Sequence, residues 1–465
     1  MILNRNPLVF SIGYNDLEDR FDVNYYKPEY IDIINRVKKS HGTKPLGDII
    51  HLSSEKWTKP KSGKFNYIEI KNIDRFSAQI TAAKEIDVKE APSRAKKVLR
   101  KDDIIVSTTR PYRGAIASVP DEYNGYICST GFAVLRKNKI QINRKYLLYF
   151  LHSRFGLKQM EQRMTGGNYP AILPSQLLKI LIPVPPLEIQ ENIAIMVDEA
   201  IEGKKIIEKE LNDVSNSIDD YILEELGILL SNSNEKSPSI FVRGFNSLEN
   251  ERWDVPFWKP FYTEFEDAIK KGRYGFKTLN HFIKEINYGA SVKNIYSDEG
   301  IPLLRILNLM PNEINLKDVV KVSYELKNKI GKSYVKEGDL LISRSGTIGI
   351  VAIVPPEADG FAFGSYMIRF RIDTTDETKF YISAILNSIV GKIQTNRNKI
   401  GAIQTNITIP SIKQIMIPIP EEESERSRIA NEVKNRLNKA KNLRVKSRNV
   451  FDKVNVEIEK IVLGD

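Results

Sequence analysis

The feature that most constrains this chain is that it repeats itself. The stretch "ILPSQLLKILIPVPPLEIQENIA" (Ile172 to Ala194) is answered by "NITIPSIKQIMIPIPEEESERSRIA" (Asn406 to Ala430), and in both an Ile-Pro-x-Pro step closes a β-like run before a charged, helix-prone segment. Pro183 and Pro185 recur 235 positions later as Pro418 and Pro420. Upstream, "RKDDIIVSTTRPYRGAIASVP" from Arg100 aligns with "KEGDLLISRSGTIGIVAIVP" from Lys336, placing Asp103 on Asp339 and Ser107 on Ser343. Near the start, "RFDVNYYKP" from Arg20 aligns with "RWDVPFWKP" from Arg252. Matches in one order at nearly one spacing make the chain two copies of one unit. That unit is too long for a solenoid module and suits a domain with an appendage. At 465 residues the chain also exceeds what one hydrophobic core usually supports.

Within each copy the hydrophobic period changes. Short β-branched and aromatic runs come first: "FNYIEIKNI", "DIIVSTT", "GAIASV" and "YICSTGFAVLR", then "IPLLRILNL", "DLLISRS", "GIVAIV" and "YMIRFRI" in the second copy. They predict an α+β unit with twisted, mainly antiparallel sheets. Helices are expected at "YKPEYIDIINRVKK", "KYLLYFLHSRFGLKQM" and "KFYISAILNSIVGKIQ". After the proline step the pattern turns helical. Ile193, Val197, Ala200, Ile207, Leu211, Val214, Ile218 and Tyr221 form a seam that only Lys204 interrupts. The second copy gives Ile429, Val433, Leu437, Ala440, Leu443, Val450, Val454, Ile458 and Ile461, interrupted at Ser447. Sustained steps of three and four are the coiled-coil signature. Each proline lacks an amide donor and fixes φ, so a sheet cannot continue through it. Glu188 and Glu421 to Glu423 then suit a helix N-terminus. The expected domains are 1–185, a long helix over 186–232, 240–420, and a second long helix over 421–465. The first helix, taken as Leu187 to Leu226, would rise about 60 Å.

Seventy Lys and Arg against 59 Asp and Glu give a net charge of +11, which favours a polyanionic partner. No run approaches a membrane span, and the start has no export-signal pattern, so a cytoplasmic protein with no membrane partner is expected. Cys128 is the only cysteine, which leaves no internal disulfide or thiolate cluster. Two basic units spaced by a stiff helix pair suit a split site on duplex DNA, whose major-groove faces recur every ~34 Å.

Several elements also match a known family: "GDLLISRSGTIGIVAIVP", "IGAIQTNITIPSIKQIMIPIP" and "TGGNYPAILPSQLLKILIPVPPLEIQENIA". Over nearly its whole length the chain resembles the specificity subunits of type I restriction–modification systems. The resemblance implies two target-recognition domains and two long helices packed as an antiparallel coiled coil. It also implies recognition of a bipartite double-stranded DNA target and recruitment of two methyltransferase subunits and of restriction–translocase subunits. S-adenosylmethionine, ATP and Mg²⁺ would belong to those partners, with no cofactor in this chain. Two departures stand out: the first copy lacks the "NYGAS" loop of Asn287 to Ser291, and Glu425 replaces Gln190 after the prolines.

Chemistry of its own is hard to find. The Pro-Pro pairs, Pro185-Pro186 and Pro355-Pro356, follow Val and lack the polar and aromatic neighbours of an amino-methyltransferase loop. No Walker Lys-Ser/Thr loop occurs, and "SRSGTIG" reads as a turn between strands. Asp48 with Glu69 and Lys71 could mimic a nuclease set, but Arg305 and Leu307 stand at the second copy's positions. His41, His51, His152 and His281 show no ligand spacing. The expectation is a non-catalytic subunit, with a coiled-coil scaffold or a free-standing nuclease as alternatives.

DNA readout needs Arg, Lys, Asn, Gln and small hydroxyl residues on loops. The first copy offers Lys56, Trp57, Lys59, Lys61 and Lys64, then Arg110, Tyr112 and Arg113, then Asn168 and Tyr169. The second offers Tyr288, Ser291 and Lys293, then Arg344 and Ser345, then Arg397, Lys399, Gln404 and Asn406. On the helices, Lys204, Lys205, Arg436 and Lys439 are candidates for docking the methyltransferase, as the resemblance implies.

Overall fold

The computed structural model describes residues 10–13, 17–18, 20–40, 42–230, 242, 255–292, 296–400 and 405–463. The chain divides into two compact units, Met1–Ile207 with Val445–Asp465, and Glu208–Arg444.

In the first unit two four-stranded sheets carry the fold. One runs in the order Ile50–Leu52, Phe132–Asn138, Ile104–Ser107, Ile116–Ser118, all antiparallel. The other runs Lys84–Asp87, Lys64–Ile68, Ile127–Ser129, Ala95–Val98, with one parallel pair, Lys64–Ile68 beside Ile127–Ser129. Strand Phe132–Asn138 shows why its apolar run is unbroken. Phe132 and Val134 enter a core with Ile105, Leu99 and Cys128, while Ala133 and Leu135 enter a second core on the opposite face. A strand buried on both faces loses its alternation. Burial pushes the Cys128 thiol up to about 12, so it behaves as a small apolar side chain.

The second unit repeats this plan. One sheet runs Ile283–Tyr288, Met367–Ile372, Leu340–Ser343, Val351–Ile353, and the other Tyr296–Ser297, Val320–Val322, Ile301–Leu304, Ala362–Phe363. The parallel pair recurs, between Ile301–Leu304 and Ala362–Phe363.

Of the three expected helical stretches the first forms one helix, Pro28–Lys39, and the other two are each broken once. Arg144–His152 and Arg154–Gln162 part at Ser153, and Asp376–Asn387 and Ile389–Asn398 part at Ser388. The serine ends one helix and caps the next: its hydroxyl donates 2.7 Å to Phe150 O or Ile385 O and accepts from Gly156 N or Val390 N. Three residues on, glycine lets the two helices approach. A Cβ at Gly156 would stand 2.4 Å from Leu151 O, and one at Gly391 2.1 Å from Leu386 O.

The proline junctions are held alike. Tyr146 Oη donates to Pro183 O at 2.8 Å and Tyr381 Oη to Pro418 O at 2.7 Å. Gln159 bonds both backbone groups of Leu181, and Gln394 both of Met416. The next clamp differs. Gln190 donates to Pro185 O and accepts from Asn143 N. In the second unit Arg426, not Glu425, donates to Pro420 O and reaches Thr378. Glu425 accepts instead from Tyr274 Oη and Arg428. The sequence alignment at this point slips by one because a longer side chain does the job from the next position.

Long helices run over Leu187–Leu226 and Glu423–Leu463. The first stops one residue before Gly227, which takes φ +62°. Ile228 N then bonds Leu223 O and Gly227 N bonds Glu224 O, a Schellman cap. Within the first unit Ile193, Val197, Ala200 and Ile201 share a core with Val454 and Ile458. Lys204, the break in the seam, lays its ammonium 4.7 Å from the Phe76 ring centre and 5.8 Å from that of Phe451. Within the second unit Ile222 and Leu226 share a core with Ile429, Ala430 and Val433. There Glu225 pairs with Arg428, Ser217 O accepts from Arg436, and Glu210 pairs with Lys439. One number falls as the other rises, so the helices are antiparallel.

Candidate nucleic-acid interface

Each unit turns a buried charge inward to brace the sheet beneath its loops. Asp103 accepts from Arg136 Nε and Nη2 at 2.8 and 2.7 Å and from Arg100 N. Asp339 accepts from Arg371 Nε and Nη2 at 2.7 and 2.9 Å and from Lys336 N. Bidentate contacts of this kind fix geometry as well as charge. Both carboxylates sit at the foot of the hairpin whose far end carries the candidate loop.

In the first unit that hairpin joins Ile104–Ser107 to Ile116–Ser118. At its tip Arg110 adopts φ +47°, ψ +53°, a left-handed conformation uncommon outside glycine. Arg110 N bonds Pro170 O, and Arg110 Nη2 donates 2.9 Å to Asn168 O. Its guanidinium lies 4.9 Å from the centre of the Tyr169 ring, which is 77% exposed. The loops "TTRPYRG" and "TGGNYP" are thus brought together, with Arg110, Asn168 and Tyr169 in contact and Arg113 exposed beside Tyr112. Lys59 and Lys61 are exposed on a separate loop, while Lys64 opens a strand and pairs with Glu85 at 2.8 Å. Trp57 packs on Phe65 instead of facing outward.

In the second unit the hairpin joins Leu340–Ser343 to Val351–Ile353, and Gly346 and Gly349 take φ +76° and +85°. It is the strand-to-strand turn that its sequence predicts. Arg344 stacks on Tyr288 at 4.7 Å, and Ile409 N donates to Tyr288 Oη. Arg344 Nε is buried without a partner among the described residues. Ser291 and Lys399 are exposed. Two expected loop contacts are structural instead. Ser345 is 5% exposed and its hydroxyl bonds the Asn406 side chain, locking the turn to the segment that pairs Ile400 with Asn406. Arg397 is partly buried in an ion pair with Glu266, donates to Phe257 O and lies over the Phe257 ring. It ties down the segment Val255–Trp258, whose distance in sequence concealed the contact. Lys293 and Gln404 lie outside the described residues, as does His41.

Sequence reading missed Arg305, which stacks on the half-exposed Tyr296 ring at 5.5 Å, and Tyr366, whose carbonyl accepts from Arg344 N.

Among the described residues no hydrogen bond or ion pair links Asp48 to Glu69 or Lys71. Lys71 pairs with Glu69 at 2.5 Å, and Asn72 Oδ1 accepts from Glu69 N at the start of a short helical turn, as Asn308 Oδ1 accepts from Arg305 N. Among the described residues no group of three or more His, Cys, Asp or Glu could hold a metal ion. No helix of the described residues is long and apolar enough to cross a membrane. His152 is partly buried, its Nε2 buried without a partner among the described residues, and desolvation holds its pKa below the usual range. On the helices Lys205 pairs with Glu202, and Arg436 with Glu432 while lying over the Tyr221 ring.

Comparison with known proteins bears on this arrangement. The chain is 25% identical over 158 residues to the HindI specificity subunit of Haemophilus influenzae, covering 33% of this chain and 34% of that one. It is 20% identical over 329 residues to the EcoBI specificity subunit of Escherichia coli, covering 70% of this chain and 64% of that one. The matches therefore span about a third and just under two-thirds of these relatives. A chain solved in work on complex assembly and conformational transition of the type I restriction–modification system has the same fold. Its TM-score is 0.55 at 20% identity, and the match covers 91% of this chain and 97% of that one. The family model for the type I restriction modification DNA specificity domain matches twice, over residues 39–216 and 277–447, one match for each copy of the repeat. These two matches take in most of the sequence, and the chain belongs to the type I restriction–modification DNA specificity family.

Proposed function

We propose that this chain is the DNA-recognition subunit of a type I restriction–modification complex, each unit reading one half of a bipartite double-stranded target. In this reading it carries no catalytic residue and directs methyltransferase and restriction–translocase subunits to the site. S-adenosylmethionine, ATP and Mg²⁺ are held by those partners. The observation that carries the reading is one scaffold built twice under unlike loops. Tyr146 and Tyr381, Gln159 and Gln394, and Asp103 and Asp339 do the same buried work. The residues above them differ: Arg110 and the exposed Tyr169 in one unit, Arg344 and the exposed Tyr288 in the other. Such a pattern suits two readers of unlike half-sites. The net charge of +11 suits a phosphate backbone.

The direct test maps methylated adenines in cells with and without the gene. The reading expects a split motif that vanishes with the gene and returns with a plasmid copy. An unchanged methylation map, with the protein and a neighbouring methyltransferase both expressed, would sink it.

A further inference from the structure

Several arginines of this chain lie over tyrosine rings, and four of them are accounted for by a carboxylate. Arg20, Arg163, Arg397 and Arg436 pair with Asp22, Glu18, Glu266 and Glu432. Arg110, Arg113, Arg305 and Arg344 pair with no carboxylate among the described residues, and of these Arg344 and Arg110 lie nearest their tyrosine rings, at 4.7 and 4.9 Å, against 5.5 Å for Arg305 and 5.9 Å for Arg113. Tyr169 is 77% exposed and Tyr288 40%.

The two stacks also lie on the same hairpin of each unit without being inherited from the duplication. The repeat places Arg110 on Gly346 and Thr108 on Arg344. Tyr169 comes from the loop before Pro170, whereas Tyr288 ends the strand Ile283–Tyr288. Gly346 adopts the left-handed backbone without strain, while Arg110 adopts it at a steric cost. The scaffold contacts recur at matching positions, so the duplication preserves what folding needs. A stack rebuilt from other positions, at a strained residue in one case, serves something other than folding.

We infer that Arg110 and Arg344 are the base-reading residues of their units, each held in plane by its tyrosine so that the guanidinium edge meets a guanine in the major groove. A planar fork of donors matches guanine O6 and N7, the commonest specific arginine contact to DNA. Stacking confines the plane beforehand, so less freedom is lost on binding. Arg344 Nε is buried, which leaves Nη1 and Nη2 as the edge available to a base. In Arg110 one Nη2 hydrogen is taken by Asn168 O, which orients the group. Tyr169 and Tyr288 are positioning residues. This inference rests on the proposed recognition of duplex DNA.

The test selects from a library of randomised duplexes with the full chain at fixed salt. It uses wild type, Arg110→Ala, Arg110→Lys, Arg344→Ala, Tyr169→Ala and Tyr169→Phe, and the thermal midpoint of each confirms folding. Wild type is expected to select a split motif with a fixed guanine in each half. Arg110→Ala should lose about 10-fold or more of the discrimination at one guanine and leave the other half-site intact; Arg344→Ala should do the reverse. Arg110→Lys keeps the charge but not the fork and should relax the same position. Tyr169→Ala should relax it too, while Tyr169→Phe, which keeps the stack, should not. A wild type that selects no motif removes the DNA-recognition reading and this inference with it. A selected motif that Arg110→Ala and Arg344→Ala leave unchanged, with affinity lowered evenly across sequences, makes them phosphate contacts and overturns the inference alone.

Discussion

Replacing Tyr146 or Tyr381 by Phe removes one oxygen from each proline junction and nothing else. Both rings are fully buried, and their hydroxyls donate to Pro183 O at 2.8 Å and Pro418 O at 2.7 Å. Phenylalanine keeps the packing, so the loss is the hydrogen bond plus the desolvation of a carbonyl left unpaired, about 1–3 kcal/mol for each site. For units of this size that lowers the midpoint of the affected transition by about 2–12 °C. The pH dependence gives a second, independent reading. Burial raises both phenol pKa values far above the ordinary 10. A tyrosine in the unfolded chain ionises near 10 and the folded one does not, so its stabilisation is complete below pH 10 and is lost as pH rises further. At pH 11 the unfolded state gains about 1.4 kcal/mol per tyrosine by losing its proton. Denaturant titration at pH 7 and pH 11 should therefore show each Phe variant destabilised at neutral pH and the gap narrowing by that amount at pH 11. Phe variants as stable as wild type at pH 7, with no narrowing at pH 11, would refute the claim that these phenols hold the junction.

Three further outcomes follow from the same scaffold. Gly156→Ala and Gly391→Ala should each abolish or severely lower soluble folded protein, because their Cβ atoms would fall 2.4 and 2.1 Å from backbone oxygens; Gly167→Ala, with nothing within 4 Å, should leave the thermal midpoint unchanged. Asp339→Asn should cost about 1–3 kcal/mol in denaturant titration, since it removes the buried carboxylate shared by Arg371 and Arg369 while both keep Glu285 as a partner. His152 is held neutral by burial below its ordinary pKa of 6.5. The unfolded chain takes up that proton first, so stability should fall as pH drops below 6.5, and His152→Phe should flatten that part of the stability–pH curve.

How much of this was legible before the structure depends on where a residue's partner lies. The repeat, the proline junctions and the long helices could be read because their signals are local and occur twice. Ser153 and Ser388 were hidden inside apolar runs of helical period, since a serine that caps two helices at once looks like one polar residue in a stripe. Arg397 looked like loop charge because Glu266 and Phe257 lie about 130 to 140 positions away. Ser345 looked like a reader for the same reason: its partner Asn406 sits across a loop. The Arg110–Tyr169 contact joins two loops that were each singled out, but nothing in their spacing placed the ring under the guanidinium. Lys204 shows the converse, a break in a seam that the sequence registers plainly and only Phe76 and Phe451 explain.

The divergence of the two copies has a physical order. A buried donor or acceptor that loses its partner costs about 1–3 kcal/mol, a large part of a typical domain's margin. After a duplication, the Tyr–Pro, Gln–backbone and Asp–Arg contacts are therefore the least free to drift, and they recur at matching positions. Where one did change, at Gln190 and Arg426, another side chain took over the same carbonyl, so the contact outlasted the residue that made it. Hairpin tips, whose side chains are only partly buried, carry less of this penalty. Arg110 and Arg344 occupy different positions on such tips and still reach one arrangement, a guanidinium on an exposed tyrosine. Stability does not require that arrangement where the chain was free to lose it, which is why the tips are the place to look for what each unit reads.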